Sequence, residues 1–293
     1  MFEVDSSLRT PDDLKLEEVF LQASKEHSET KTGPLTIVPV SMAYVSVAQC
    51  TPKQDLDAIV SSLPVSPTLE ADPFAERNAL LRRKFSDRAG ELGHVEYVFD
   101  LGNWGPDFSP DPKKKYGSML QIVQYPFSRG SVHVRPSQSS GSLVSGLAVD
   151  PQYFGGRLGH VDLEIALHGY RFAEKICSAE PLASIIRGQV CPMPAEVSND
   201  DSLREWLKRV MTTDWHPVGT CAMGGRAGSR AGVVDARLRV YGVRGLRVVD
   251  ASVMPLQISA HLQATVYAIA EKAAHMILQD IGLVDGVVDV PSE

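Results

Sequence analysis

The 293-residue sequence predicts an α+β fold, in which helices and antiparallel strands are mixed along the chain. Three observations indicate this class. Segments with helical spacing recur, β-branched runs lie between them, and the strand–helix–strand rhythm of a parallel sheet is missing. Because 43% of the residues are hydrophobic, the chain can bury a core for one large domain or two modest ones.

Four segments in the first two thirds of the chain have the signals of a helix. Residues 11–26 start with proline and aspartate and then space apolar side chains at helical intervals, and residues 72–87 have a similar start. Residues 160–178 show a clear helical pattern. Residues 199–213 show another, for which Asn199 is a good N-cap.

The strands are predicted from β-branched and aromatic runs. Residues 35–49 are rich in such side chains but include Pro39, which favours one or two strands near a sheet edge. Residues 94–102 predict a further strand. After a long loop, residues 118–126 and 130–136 flank a turn, so they are expected to form an antiparallel pair.

The last 80 or so residues have a different pattern. Residues 231–252 alternate short β-type runs with glycine turns. Residues 262–282 form an alanine-rich helical segment that ends at Gly282.

Composition argues against several classes of partner. The net charge is −7 and lysines and arginines form no long block, so a nucleic-acid or anionic-membrane surface is not expected. No apolar run approaches the roughly 18 residues that span a bilayer. The first 20 residues lack a signal-peptide pattern, which predicts a cytoplasmic protein. The four cysteines lie far apart, which predicts buried thiols and no metal site.

The common catalytic motifs are absent from the sequence. No two glycines are separated by a single residue, so the Gly-x-Gly-x-x-Gly dinucleotide fingerprint does not occur. The Gly-x-Ser-x-Gly elbow, the phosphate-binding loop and the His-Glu-x-x-His zinc helix are missing as well. These absences remove the usual support for a serine hydrolase, a P-loop enzyme or a zinc protease.

Two histidines stand in unusual surroundings. His216 lies in "DWHPVGTCAMGG", where Pro217 drives its backbone out of the helical region, and His261 comes just before a long helix. A lone histidine is more often a surface or core residue than a catalyst. The neighbouring sequence therefore has to decide between the two interpretations.

That neighbouring sequence resembles a known family. "HPVGTCAMG", then "GVVDARLRVYGVRGLRVVDASVMP" and "SAHLQATVYAIAEKAA", is similar to the C-terminal signature of the glucose–methanol–choline oxidoreductases in order and spacing. "YPFSRGSVHV" resembles a strand–turn–strand of the family's substrate domain, and "TGPLT" at residues 32–36 resembles a segment just after the family's midpoint. The resemblance therefore covers nearly the whole chain. It is greatest to the fungal aryl-alcohol oxidase-like members, including those of the patulin synthase and versicolorin B synthase type.

The resemblance implies a flavin enzyme and assigns its residues. His216 matches the family's catalytic histidine, and His261 matches a second active-site position that is histidine or asparagine. Asp250 and Ala251 match a stretch along the diphosphate and ribityl chain of FAD. The helix start under the pyrimidine ring matches Gln263, Ala264, Thr265 and Val266.

The resemblance also implies two domains, a substrate-binding domain over residues 1–212 and a C-terminal segment of the FAD domain over residues 213–293. Family members are roughly twice as long, and their Gly-rich ADP-binding half has no counterpart here. Three explanations stay open: a truncated gene product, a gene split into two cooperating chains with a separately encoded N-terminal half, or a protein reused without flavin. Unpaired edges and an apolar face are expected around Val233 and residues 246–249.

The expected function is oxidation of an alcohol by base-assisted hydride transfer to FAD, in fungal secondary metabolism, and this chain alone is expected to be inactive. A neutral imidazole suits the proton and a flavin suits the hydride. The alternative is a non-redox descendant, either a cyclase or dehydratase-like enzyme or an inert interaction protein. Flavin absorbance of the purified protein distinguishes the two.

Overall fold

The computed structural model describes residues 1–36, 41–64, 68–105, 108–135 and 146–284, and it confirms the α+β class. The chain divides into two compact units. The first takes the described residues within 1–63, 84–130 and 151–212, and the second those within 64–83, 131–150 and 213–293. The last segment of the second unit begins at residue 213, and two earlier segments of the chain also belong to that unit.

The first unit is built on a five-stranded antiparallel sheet with the order β2-β3-β4-β1-β7. The strands are β1 (Phe2–Val4), β2 (Met42–Val45), β3 (Val95–Leu101), β4 (Lys115–Val123) and β7 (Ile186–Gln189). The predicted strand at residues 94–102 is thus β3, an interior strand that lies between β2 and β4. β2 lies at the edge, as predicted for residues 35–49, of which 37–40 lie outside the described residues.

Two long helices cover this sheet. Helix α5 (Gly159–Cys177) packs against β4, and α7 (Asp200–Val210) packs on α5. The Tyr97 hydroxyl donates to the carbonyl of Gly169 on α5 at 2.8 Å, which ties the helix to β3. The buried contact between the two helices is formed by Leu163, Ala166, Leu167, Leu203 and Leu207.

The remaining helices of the described chain are α1 (Glu17–Thr30), α2 (Val47–Cys50), α3 (Lys53–Ser62), α4 (Ala75–Ser86), α6 (Leu182–Ile185) and α8 (Gln263–Asp280). The helices predicted at residues 72–87, 160–178, 199–213 and 262–282 are confirmed as α4, α5, α7 and α8. The helix predicted at residues 11–26 was partly wrong. Residues Pro11–Lys15 form a separate 3-10 helix, because the extended backbone of Leu16 interrupts the helical path before Glu17.

The predicted pairing of residues 118–126 with 130–136 was wrong. β4 pairs with β1 and β3, whereas β5 (Ser131–Val134) pairs with β6 (Leu147–Asp150) in the second unit. The turn between β4 and β5 is held by helix α5. The buried Asp162 carboxylate of this helix accepts the N–H groups of Phe127 and Ser128 at 2.8 and 2.7 Å. Burial raises the pKa of this carboxyl group.

The second unit contains little regular sheet between residues 231 and 252. In place of the predicted short strands, the described chain has isolated bridges at Met223–Val234, Val234–Val240 and Arg239–Arg247. Glycine turns at Gly242 and Gly245, both with positive φ, keep the runs too short to become strands. Its buried core is Val234, Leu238, Val253 and Ala273, the last from α8.

Replacing the N-cap of α7 should destabilise the first unit measurably. The Asn199 side chain accepts the N–H of Ser202 at 2.9 Å. Asn199→Ala should lower the free energy of unfolding by about 1 kcal/mol, the usual cost of a lost cap. Urea titration followed by circular dichroism measures the change. Asn199→Ser is the matched control because serine also caps, and an equal loss in both variants would contradict the assignment.

Candidate active site

Three backbone segments of the second unit are fastened side by side. The hydrogen bonds that join them run from the N–H of Cys221 to the carbonyl of Ser252 (3.0 Å), from Met223 to Val253 (3.0 Å) and from Val233 to Ala222 (2.8 Å). Gly232 permits this approach, since a Cβ atom there would lie 2.4 Å from the carbonyl oxygen of Ala222. The chain following His216 is therefore held beside the chain that leads to His261.

The two predicted histidines meet in the structure. The ring centroids of His216 and His261 are 5.2 Å apart, with 42° between the ring planes. The His216 side chain is one-third exposed, and the residue His261 is exposed. Two imidazoles at this separation can act on one small polar group, one by accepting its proton and the other by a hydrogen bond.

A strained turn directs the His216 ring. Trp215 has φ of 54°, a left-handed backbone that a bulky residue rarely adopts, and its N–H donates to the Thr213 hydroxyl at 3.0 Å. Conformations of this kind cost about 1–3 kcal/mol and persist where the surroundings fix them. Here the Gln257 side-chain amide donates to the His216 carbonyl at 2.6 Å. The His216 Nδ1 atom lies 2.8 Å from Oδ2 of Asp214.

The other predicted site residues lie at two helix starts. Asp250 is the N-cap of the 3-10 helix Ala251–Val253, and its Oδ1 accepts the N–H of Ser252 at 2.8 Å. Ala251 is the first residue of that turn.

The residues Gln263, Ala264, Thr265 and Val266 form the first turn of α8, which begins after Leu262 without a side-chain cap. The helical ladder begins with the bond from the Val266 N–H to the Leu262 carbonyl at 2.9 Å. By helix geometry, the N–H groups of the preceding three residues have no partner within the helix. This end of α8 is therefore electropositive and suits an electronegative ligand edge.

Within the described ranges, no group of three or more His, Cys, Asp or Glu side chains could hold a metal ion. The four cysteines form no disulfide: Cys50 and Cys177 are buried as predicted, whereas Cys191 and Cys221 are half-buried. Burial raises the pKa of Cys177 to about 11, so this thiol is not activated. Among the described helices, none is both long and apolar enough to cross a membrane.

Comparison with known proteins identifies the family that this chain is similar to. The family model for GMC oxidoreductases matches residues 126–270. Dehydrogenase mpl7 of Monascus purpureus is 32% identical over 302 aligned positions, which cover 96% of this chain and 45% of the relative. The chain belongs to the GMC oxidoreductase family.

Two further comparisons show a likeness in sequence and a likeness in fold. Versicolorin B synthase of Aspergillus parasiticus is 34% identical over 55% of this chain and 24% of its own length. A fungal aryl-alcohol oxidase structure shares the fold with a TM-score of 0.67 at 24% identity, over 96% of this chain and 46% of that one. The chain spans about half the length of dehydrogenase mpl7 and of the aryl-alcohol oxidase. FAD is the cofactor of the family.

Two site residues of this GMC chain were missed in the sequence. Asp214 stands two positions before His216, a spacing that could have marked it as a partner of the ring. Gln257 lies 41 positions beyond His216, and no local pattern links the two.

Substituting Gly232 should loosen the frame that holds the histidines. Gly232→Ala places a Cβ atom within 2.4 Å of backbone atoms, so the free energy of unfolding should fall by about 1–3 kcal/mol, as for other overpacked sites. Thermal unfolding by circular dichroism measures the loss. Gly188→Ala is the control, because no described atom lies within 4 Å of that Cβ position. Equal stability of the two variants would show that the close approach is not a constraint.

Proposed function

We propose that this chain supplies the substrate-binding part and the proton-accepting histidines of an FAD-dependent alcohol oxidoreductase that acts on CH–OH donors. The observation that carries the proposal is the pair of imidazoles 5.2 Å apart in a member of the GMC family. Residues 1–212 would form the substrate-binding domain, and residues 213–293 would belong to the FAD domain. The likeness to versicolorin B synthase supports a place in fungal secondary metabolism.

In this proposal His216 accepts the hydroxyl proton of the alcohol. Its ring is held by the Trp215 turn and by Asp214, which is the arrangement that a positioned general base needs. His261 orients the hydroxyl group through a hydrogen bond and stabilises the alkoxide as it forms. When FAD is bound, its isoalloxazine ring supplies the acceptor for the hydride.

The residues present fit the flavin end of FAD. The uncapped N-terminus of α8 offers the N–H groups of Gln263, Ala264 and Thr265, which suit the carbonyl oxygens of a pyrimidine ring. Asp250 and Ala251 would lie along the ribityl and diphosphate part. The adenosine end has no obvious site, because the sequence contains no Gly-x-Gly-x-x-Gly turn.

The proposal therefore includes a nucleotide-binding half, as a separately encoded N-terminal partner or as further sequence in the same chain. An open edge supports it. The hydrogen bonds of the Arg239–Arg247 bridge are made by the neighbouring residues Leu246 and Val248. The backbone groups of Arg247 and Val249 themselves make no backbone hydrogen bond to any other described residue. The neighbouring apolar side chains are exposed by 36–51%: Val233, Val243, Leu246 and Val249. An edge of this kind accepts a strand from another segment.

Replacing the proposed base should slow turnover without releasing the cofactor. In enzyme reconstituted with an N-terminal half, His216→Ala should lower kcat by about 10²–10⁴, the usual contribution of a positioned base. His261→Asn should have a milder effect, because the amide keeps a hydrogen-bonding group. Steady-state kinetics and flavin absorbance are the measurements. Equal, small effects of both substitutions would contradict the catalytic pair.

The isolated 293-residue chain should bind FAD weakly or not at all, and should show no alcohol oxidation. Each missing backbone hydrogen bond to the diphosphate contributes about 0.5–1.5 kcal/mol or more, so several together change affinity by orders of magnitude. Calorimetric titration with FAD measures this. Micromolar or tighter binding would contradict the prediction. A reconstituted protein that never gains flavin absorbance would favour the non-redox alternative.

A further inference from the structure

The contact between Asp214 and His216 points to a role beyond that of a surface ion pair. We propose that Asp214 is a positioning residue that accepts a hydrogen bond from Nδ1–H of His216. This bond selects one neutral tautomer and leaves Nε2 unprotonated. Its value in turnover rests on the proposed function, whereas the tautomer itself is a property of this chain.

The contact has the geometry of a charge-assisted hydrogen bond. Oδ2 of Asp214 lies 2.8 Å from Nδ1, within the range of such bonds. Both side chains are only about one-third exposed, which limits competition from water. A ring nitrogen facing a carboxylate carries the proton, because an acceptor cannot face an unprotonated nitrogen without repulsion.

The backbone is arranged to make this contact. The two residues are separated only by Trp215, whose left-handed conformation reverses the chain direction between them. The hydrogen bond from Trp215 to Thr213 fixes the turn on one side, and that from Gln257 to the His216 carbonyl fixes it on the other. Gln257 thus holds the main chain, whereas Asp214 holds the ring.

The reaction balances with this assignment. The alcohol hydroxyl would give its proton to Nε2 of His216, and FAD, when bound, would supply the acceptor for the hydride that leaves the carbinol carbon with its electron pair. The product is the carbonyl compound. Asp214 keeps its charge throughout and stabilises the imidazolium ion that His216 becomes. With the opposite tautomer, Nε2 would carry a proton already and could not accept another.

The alternative is an ion pair that forms only when the imidazole is protonated. Exposed pairs of this kind contribute little to stability and impose no tautomer on the neutral ring. The two interpretations differ for the neutral imidazole, which is the form that can accept a proton. The ion pair predicts the mixture of tautomers of a free side chain, whereas the positioning role predicts Nδ1–H.

Nitrogen chemical shifts of ¹⁵N-histidine in the full 293-residue chain provide the test, at pH 9 and without flavin. His216 should be mainly the Nδ1–H tautomer. In Asp214→Asn the ratio of Nδ1–H to Nε2–H should fall by about tenfold or more, because the charged acceptor is lost. Asp214→Glu should restore much of it. Gln257→Ala, the matched control, should lower the ratio much less than Asp214→Asn, since it loosens the turn but keeps the charged acceptor.

A mainly Nε2–H ring in the unchanged protein would overturn the inference, and so would an unchanged ratio in Asp214→Asn. A change of equal size in Gln257→Ala would also overturn it, because the tautomer would then depend on the turn and not on the carboxylate. These outcomes are independent of the proposed function. A protein with the Nδ1–H tautomer that never oxidises alcohols when reconstituted would instead contradict the oxidoreductase proposal alone.

Discussion

The arrangement of the candidate site depends on the backbone pairing of residues 221–224 with residues 252–253. These few hydrogen bonds lie over the buried Val234 and Val253, where water does not compete for them. They hold the segment that follows His216 against the segment that leads to His261. Because they involve only main-chain groups, the side chains around them can vary as long as a residue without a Cβ atom remains at Gly232.

The two units are stabilised in different ways. The first has a continuous antiparallel sheet under two helices, with a carboxylate and an amide tied to backbone groups across its core. The second, in the residues described, has the two-stranded β5–β6 sheet, most of α4, isolated bridges, glycine turns and the long helix α8. Fewer cooperative hydrogen bonds mean that local opening needs less free energy there. The site residues thus belong to the unit that gains more from a bound cofactor or a further segment.

The sequence predicted the parts of the fold that local physics determines. α5, α7 and α8 follow from helical spacing and, for α7, from the Asn199 cap. The pairing of β4 could not be found this way, because the partners β1 and β3 are chosen by long-range contacts and the turn after β4 is held by Asp162, more than 30 positions away. β1 has only three residues, which is too short for a periodic signal.

The candidate site shows the same contrast between residues that the sequence could identify and residues that depend on three-dimensional contacts. His216 and His261 could be named because the surrounding motifs resemble a family, and the structure brings their rings together. Asp214 and Gln257 act through contacts whose geometry depends on a left-handed residue, which no pattern of polar and apolar residues reveals.

The left-handed residue Trp215 has a practical consequence. It is 74% exposed and directly precedes His216 in the chain, whereas the indole of Trp206 packs against Tyr170 in the first unit. An indole in water emits at longer wavelength than one in a protein interior, and it transfers excitation energy to a nearby isoalloxazine ring. Trp215 is therefore a natural optical reporter: a blue shift of its emission, or its quenching, would signal that something has covered the histidines.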